Sequence, residues 1–384
     1  MREFDEIRPY NDCEVPEVIG RMIADNELID LLLEDLFSGA GKLLYPWLRP
    51  LLRARLRYTS RKIVTVDMLQ QHLAIRLKTI LDQTTDGYSF SGLSGLENDK
   101  SYVFMSNHRD IALDPAITVL GLVESGRDSL RIAIGDNLLS KPFASDLMRI
   151  NRSFIVKRSV VARREKLKAL KILSNYIRQS VCNEGISIWI AQAEGRAKDG
   201  KDRTETALLK MLALSRSKDQ DFSSAINELN IVPVSISYEY DPCDADKARE
   251  LYIAKTGNSY VKTAFEDLET IKKGFIGYKG RVHVHYGSPC KIANIGAENL
   301  AADIDDQIFC GYRLFPSNIV AWQMLYDSLD VTKLKHCWPD EDWFVAHAKF
   351  EKRIEALPEK HRDIVVQAYA SPVTDQLSSS HHRA

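Results

Sequence analysis

The spacing of apolar and polar positions along this 384-residue chain changes period twice. Up to about residue 85, leucines recur at helical spacing in ELIDLLLEDLF and MLQQHLAIRLKTIL, which predicts helices. From about 86 to 296, short β-like runs alternate with helical stretches: YSFSGL, YVFMSN, RIAIGD, SFIVKR, ISIWIAQ, IVPVSISYEY and RVHVHYG. Beyond 296 the helical pattern returns in NIVAWQMLYDSL and DWFVAHAKFEKRIEAL. Such alternation predicts an α/β fold, a mixed, largely parallel sheet flanked by helices, with helical N- and C-terminal extensions. The expected division is 1–85, 86–296 and 297–384, the last ending in the polar tail SSSHHRA, which reads as disordered.

Composition narrows the class. Hydrophobic residues at 45% and charged residues at 27% are ordinary globular values, so a folded chain is expected. A net charge of −1 argues against a whole-protein polyanion binder, and nucleic acid is not an expected partner. Six scattered cysteines without a C-x-x-C pair suit a reducing compartment and no structural zinc. The acidic start MREFDEIRPYND is no signal peptide, and no apolar run approaches the roughly 18 residues of a spanning helix. The expectation is a cytoplasmic protein whose membrane contact, if any, is peripheral. One segment bears on that contact. Leu44, Trp47, Leu48, Leu51 and Leu52 fall at helical spacing, accompanied by Arg49, Arg53, Arg55, Arg57, Arg61 and Lys62 with no acid among them. It reads equally as an interfacial helix on the inner face of an anionic membrane and as a helix packed on the protein with solvated arginines. Pro46 and Pro50 place its start, or a bend, near Pro50.

Two motifs are decoys. SGAGKL, residues 38–43, lacks the early glycine of a phosphate loop and has Leu43 where Ser or Thr would hold magnesium. His283 and His285 alternate with Val282, Val284 and Tyr286, which predicts one half-solvated strand face and no metal site. Neither G-x-S-x-G nor G-x-G-x-x-G occurs.

The chemistry concentrates in SNHRDIALDPA, residues 106–116, directly after the apolar run Tyr102-Val103-Phe104-Met105. A histidine at the C-terminal end of a strand sits where open α/β sheets collect ligands. Its imidazole can take a proton from a hydroxyl if a carboxylate fixes its tautomer, and Asp110 and Asp114 are both at hand. Both aspartates also suit a plain role as helix caps, Asp114 being followed by Pro115. Further on, SFIVKRS ends in the cations Lys157 and Arg158, and AEGRAKDG carries Glu194-Gly195-Arg196, a tight turn with a bidentate fork for phosphate. Pro233 in IVPVSISYEY suits a sheet edge or a strand start near the crevice.

In that order, SNHRDIALD, SFIVKRS, AEGRAKDG and IVPVSISYE resemble the four blocks of the glycerolipid acyltransferase family, the glycerol-3-phosphate and 1-acylglycerol-3-phosphate acyltransferases. The resemblance covers roughly 86–292. It implies a glycerol-3-phosphate acyltransferase-like domain in phospholipid biosynthesis, with His108 as general base held by Asp114 or Asp110. Asn107, Arg109, Lys157, Arg158, Glu194, Gly195, Arg196 and Pro233 would surround a glycerol-phosphate acceptor. The implied donor is a thioester on coenzyme A or acyl carrier protein, and no cofactor or metal is implied. Arg109 and Tyr238-Glu239 are similar to the glycerol-3-phosphate branch, whereas the compact length suits the lysophosphatidate branch, which is preferred. Two departures stand out: one residue more than usual separates His108 from Asp114, and Arg196 follows Glu-Gly immediately. A one-residue insertion in a loop costs little, and Asp114 is the expected partner. The alternatives are a catalytically silent lipid-binding or scaffold protein of the same fold, and acylation of a non-lipid acceptor.

Overall fold

Every one of the seven β-like runs forms a strand in the computed structural model, which describes residues 2–37, 44–139, 141–263, 265–326 and 331–381. The strands are β1 (Tyr88–Ser91), β2 (Val103–Ser106), β3 (Arg131–Gly135), β4 (Ser153–Val156), β5 (Ile188–Ala191), β6 (Ile231–Tyr238) and β7 (Val282–Tyr286). The SGAGKL stretch and residues 382–384 of the tail lie outside the described residues. The α/β class and the mixed, largely parallel strand arrangement are as the periodicity predicts.

The chain forms two compact units, the first built from Met1–Leu77 and Leu130–Tyr176. In it β3 and β4 pair in parallel, Ile132 opposite Ser153. The helix Asn26–Leu36 presents Ile29 and Leu33 to Tyr45 of the helix Tyr45–Ser60, and Leu48, Leu52 and Leu56 close that small core. Pro46 sits in the first turn, where its missing N–H is harmless, and the helix continues through Pro50. Its other face is open: Trp47 is 78% and Leu51 67% exposed. Arg49 pairs with Asp30, and Arg53 caps the carbonyls of Ile23 and Ala24, while Arg55, Arg57, Arg61 and Lys62 stay exposed.

The second unit comprises Lys78–Ser129 and Ile177–Ala384. Five strands hydrogen-bond in the order β1-β7-β6-β2-β5, all parallel except β6 against β7. β2 is buried along its whole length, and so are all eight residues of β6, as continuous apolar runs in a sheet covered on both faces require. β6 is therefore central and not an edge. It tolerates Pro233 because the antiparallel ladder to β7 begins one residue later, at Val234, and the Pro233 carbonyl still accepts from Gly287 N at 2.8 Å. The helices Pro316–Leu325, Trp343–Glu355 and Glu359–His381 share a core around Phe350, Tyr369 and Val373. His283 and His285 do point to one face of β7, but His283 is buried. It bonds Ser89 and Ser91 at 2.8 and 2.9 Å, and His285 bonds Ser91 at 2.8 Å, with the helix Ala297–Gly311 lying against His285.

Candidate active site

β2 ends at Ser106, and the chain then turns into the helix Leu113–Glu124. The turn is organised by one carboxylate. Asp114 is fully buried, and its Oδ2 accepts from His108 Nδ1 at 2.9 Å, from Arg109 N at 2.6 Å and from Asp110 N at 2.9 Å. Its Oδ1 accepts from the Tyr238 hydroxyl at 2.8 Å, delivered by the last residue of β6. Burial, followed by the Asp114 charge, pushes the Tyr238 hydroxyl far above its ordinary range, so it remains a donor. The extra residue between His108 and Asp114 does not part them, because the loop folds around the carboxylate.

Asp110 plays a different part. Its Oδ1 accepts from the amides of Ala112 and Leu113 at 3.0 and 2.8 Å, capping the start of the helix. Burial, then the neighbouring Asp114 charge, raises its carboxyl above the usual range. The His108 ring meets Trp189 of β5 edge to face, centroids 5.7 Å apart, and Trp189 Nε1 donates to Ser106 Oγ at 3.0 Å. With Nδ1 on Asp114 and the ring packed against Trp189, the imidazole is held in one orientation. Its Nε2 makes no hydrogen bond among the described residues. An imidazole so held can exchange a proton with a group placed at Nε2.

The loop after β5 comes to this histidine. Gln192 N donates to Ser106 O and Glu205 N to Gln192 O, pinching the base of the loop, and Ala197 N reaches His108 O at 2.8 Å. Gly195 turns the loop at φ 82°, a left-handed conformation open to glycine. Gly200 lies so close to Ala368 of the C-terminal helix that a Cβ would come within 2.0 Å of its carbonyl oxygen. Next to the tether, Arg196 keeps Nη1 buried without a hydrogen-bond partner among the described residues. Such an orphaned guanidinium N–H is a site for an anion or a water. Glu194 is exposed, and its amide donates to Glu205.

Residues 88–237 match the family model described as Acyltransferase. This stretch resembles an acyltransferase domain. No curated protein sequence matches the chain. Among solved structures it is similar to the 1-acyl-sn-glycerophosphate acyltransferase PlsC from Thermotoga maritima, at 16% identity, over 66% of this chain and 79% of that one, with a TM-score of 0.35.

Several residues expected to line an acceptor pocket make hydrogen bonds or ion pairs within the protein. Asn107 is fully buried; its Oδ1 accepts from Ile236 N at 2.8 Å and its Nδ2 donates to Ile236 O at 3.0 Å, stitching the end of β2 to β6. Arg109 turns inward to Asp202 at 2.6 Å and to Gly200 O at 3.1 Å, over the ring of Tyr312. Both residues shape the loop, and the buried Nε of Arg109 has no hydrogen-bond partner among the described residues. Pro233 lies inside the sheet, buried and paired with Met105. Lys157 and Arg158 belong to the first unit, where Lys157 pairs with Glu6 and the amide of Arg158 donates to Asp136. Tyr238, Trp189 and Asp202 escaped the sequence reading as site residues. Only Tyr238 left a signal, in the Tyr238-Glu239 pair of the fourth block.

Proposed function

We propose that the chain transfers a fatty acyl group from a thioester on coenzyme A or acyl carrier protein to a hydroxyl of a glycerol-phosphate acceptor. 1-Acylglycerol-3-phosphate is preferred over glycerol-3-phosphate. The observation that carries the reading is His108 Nδ1 on the buried Asp114 carboxylate at 2.9 Å, with Nε2 unengaged among the described residues. His108 Nε2 takes the acceptor's hydroxyl proton as its oxygen attacks the thioester carbonyl; the C–S bond breaks, and the imidazolium returns that proton to the leaving thiolate. Asp114 holds the tautomer and stabilises the imidazolium, so no serine or cysteine nucleophile is needed. Arg196 supplies the acceptor-phosphate contact, anchoring the non-reacting end so that its binding energy orients the hydroxyl.

The preferred acceptor and its product are lipids, and the helix Tyr45–Ser60 supports a peripheral membrane contact. It exposes Trp47, Leu51 and Tyr58 beside Arg55, Arg57, Arg61 and Lys62, the pairing of apolar and cationic groups that an anionic interface takes up. No described helix is long and apolar enough to cross a membrane. The experiment is turnover of the purified protein with acyl-CoA or acyl-carrier-protein thioester against each acceptor, followed by thioester loss. Turnover with neither acceptor overturns the reading.

A further inference from the structure

We infer that Lys247, on the helix Asp244–Lys255 beyond the matched acyltransferase segment, is a positioning residue for the His108–Asp114 pair. It acts through the peptide group that joins Arg109 to Asp110. The inference rests on the reading of His108 as the base.

Lys247 is 4% exposed, and its Nζ donates to Arg109 O at 2.7 Å and to Asp241 Oδ2. The carbonyl it holds and the N–H of Asp110 are two ends of one planar peptide group. That N–H donates to Asp114 Oδ2 at 2.9 Å, beside the bond from His108. A cation on the carbonyl oxygen polarises the amide and strengthens its donor end, and it also fixes the tilt of the plane. The ammonium thus acts on the catalytic carboxylate from behind, without touching histidine or substrate.

Asp241, the carboxylate partner of Lys247, is itself held by groups from the C-terminal helices. Asp241 Oδ1 accepts from Cys243 N at 2.8 Å, its amide donates to the Tyr369 hydroxyl at 2.8 Å, and its carbonyl accepts from Arg353 Nη2 at 2.7 Å. Tyr369 and Arg353 both bond Asp244 Oδ2, at 3.0 and 2.7 Å. Burial opposes ionisation of Asp241, yet the charge and hydrogen bond of Lys247, joined by the Cys243 amide and the Arg196 charge, together keep the carboxyl below its ordinary range. A buried ion pair is weak evidence of stabilisation, since well-packed apolar groups often serve as well. This one is aimed at the backbone of the catalytic turn, which a purely structural pair does not require.

The test is Lys247→Met, with folding checked by circular dichroism and kinetics measured for both substrates. The expected result is a kcat lower by about 10- to 100-fold with both KM values within about twofold, because a charge-assisted contact acting on the base is lost and no substrate contact is. A folded variant with parental kcat, or one altered only in KM, overturns the role. If the methionine variant fails to fold, Lys247→Gln, which keeps an uncharged N–H donor, is read against the same two outcomes. Lys247→Arg retains the cation and is expected to recover most of kcat. His108→Ala in the same assay separates the failures: activity surviving there overturns the base itself. An inactive His108→Ala beside a full-rate Lys247→Met overturns only the part played by Lys247.

Discussion

The Tyr238 hydroxyl donates to Oδ1 of Asp114 at 2.8 Å, from a strand 124 residues away in sequence. Since the other carboxylate oxygen serves His108, the two bonds fix the carboxylate plane between them. Tyr238→Phe is expected to lower kcat about 10- to 100-fold, the equivalent of about 1.5–3 kcal/mol for a hydrogen bond to a charged group. Little change in either KM should accompany it; a KM effect alone would place Tyr238 in a binding role.

The two aspartates of the turn should separate cleanly. Asp114→Asn offers the imidazole an amide in place of a full carboxylate, and a loss of about 10³- to 10⁴-fold in kcat is expected from misorientation and the wrong tautomer. Asp110→Asn keeps an oxygen for the Ala112 and Leu113 amides and should cost about tenfold or less, as the loss of cap quality alone would. Kinetics on both variants, each shown to be folded, decides the order. The reverse ranking would move the orienting role to Asp110.

For Arg196, the orphaned Nη1 predicts a contact made only when an anion is present. Arg196→Ala should raise the acceptor KM about 10- to 100-fold and leave the donor KM nearly unchanged, the worth of a charge-assisted bidentate contact. Equal loss for both substrates, or none, argues against phosphate binding.

Trp47 and Leu51 give the membrane contact a direct readout. The protein is expected to sediment with anionic vesicles at low salt and to be released as salt rises, because exposed cations are screened within about 10 Å at 0.1 M. Trp47→Ser combined with Leu51→Ser should weaken sedimentation without altering the fold, both side chains being exposed. Failure of the parent protein to sediment removes the interfacial reading.

Burial, reinforced by Arg313 and His285, pushes His283 down from 6.5 to about 4. The unfolded chain therefore binds a proton between those values that the folded protein refuses, and stability falls as pH drops from about 6.5 to 4. Asp305 works the other way: burial lifts it to about 6, so its contribution is lost as pH rises from 3.8. Comparing His283→Gln with the parent cancels the Asp305 effect. Urea midpoints should show the variant losing less stability between pH 6.5 and 4.5, and parallel curves would contradict the assignment.

All seven strands were legible because a covered sheet leaves continuous or alternating apolar runs that survive without tertiary information. His108, Asp110 and Asp114 were legible for a local reason: one turn carries all three, and Asp114-Pro115 marks a helix start. What escaped depends on which strands lie side by side. Tyr238 reaches Asp114 only because β6 runs beside β2, and Asn107 is consumed by that same junction at Ile236. Arg109 read as a substrate cation because its partner Asp202 comes 93 residues later. Pro233 read as an edge or strand-start residue because nothing local says where the β7 ladder begins. Lys247, in DADKARE, looks like one more solvated charge until the fold brings it to the Arg109 carbonyl in the His108–Asp114 turn.

Every role proposed for the turn depends on His108 Nε2 moving the acceptor's proton. The decisive comparison sets His108→Ala beside the parent protein, both folded, in thioester turnover against 1-acylglycerol-3-phosphate and glycerol-3-phosphate. The parent is expected to turn over and the variant to show a kcat lower by about 10³-fold or more, as follows when a positioned general base is removed. Undiminished turnover by His108→Ala would rule out proton transfer at this histidine.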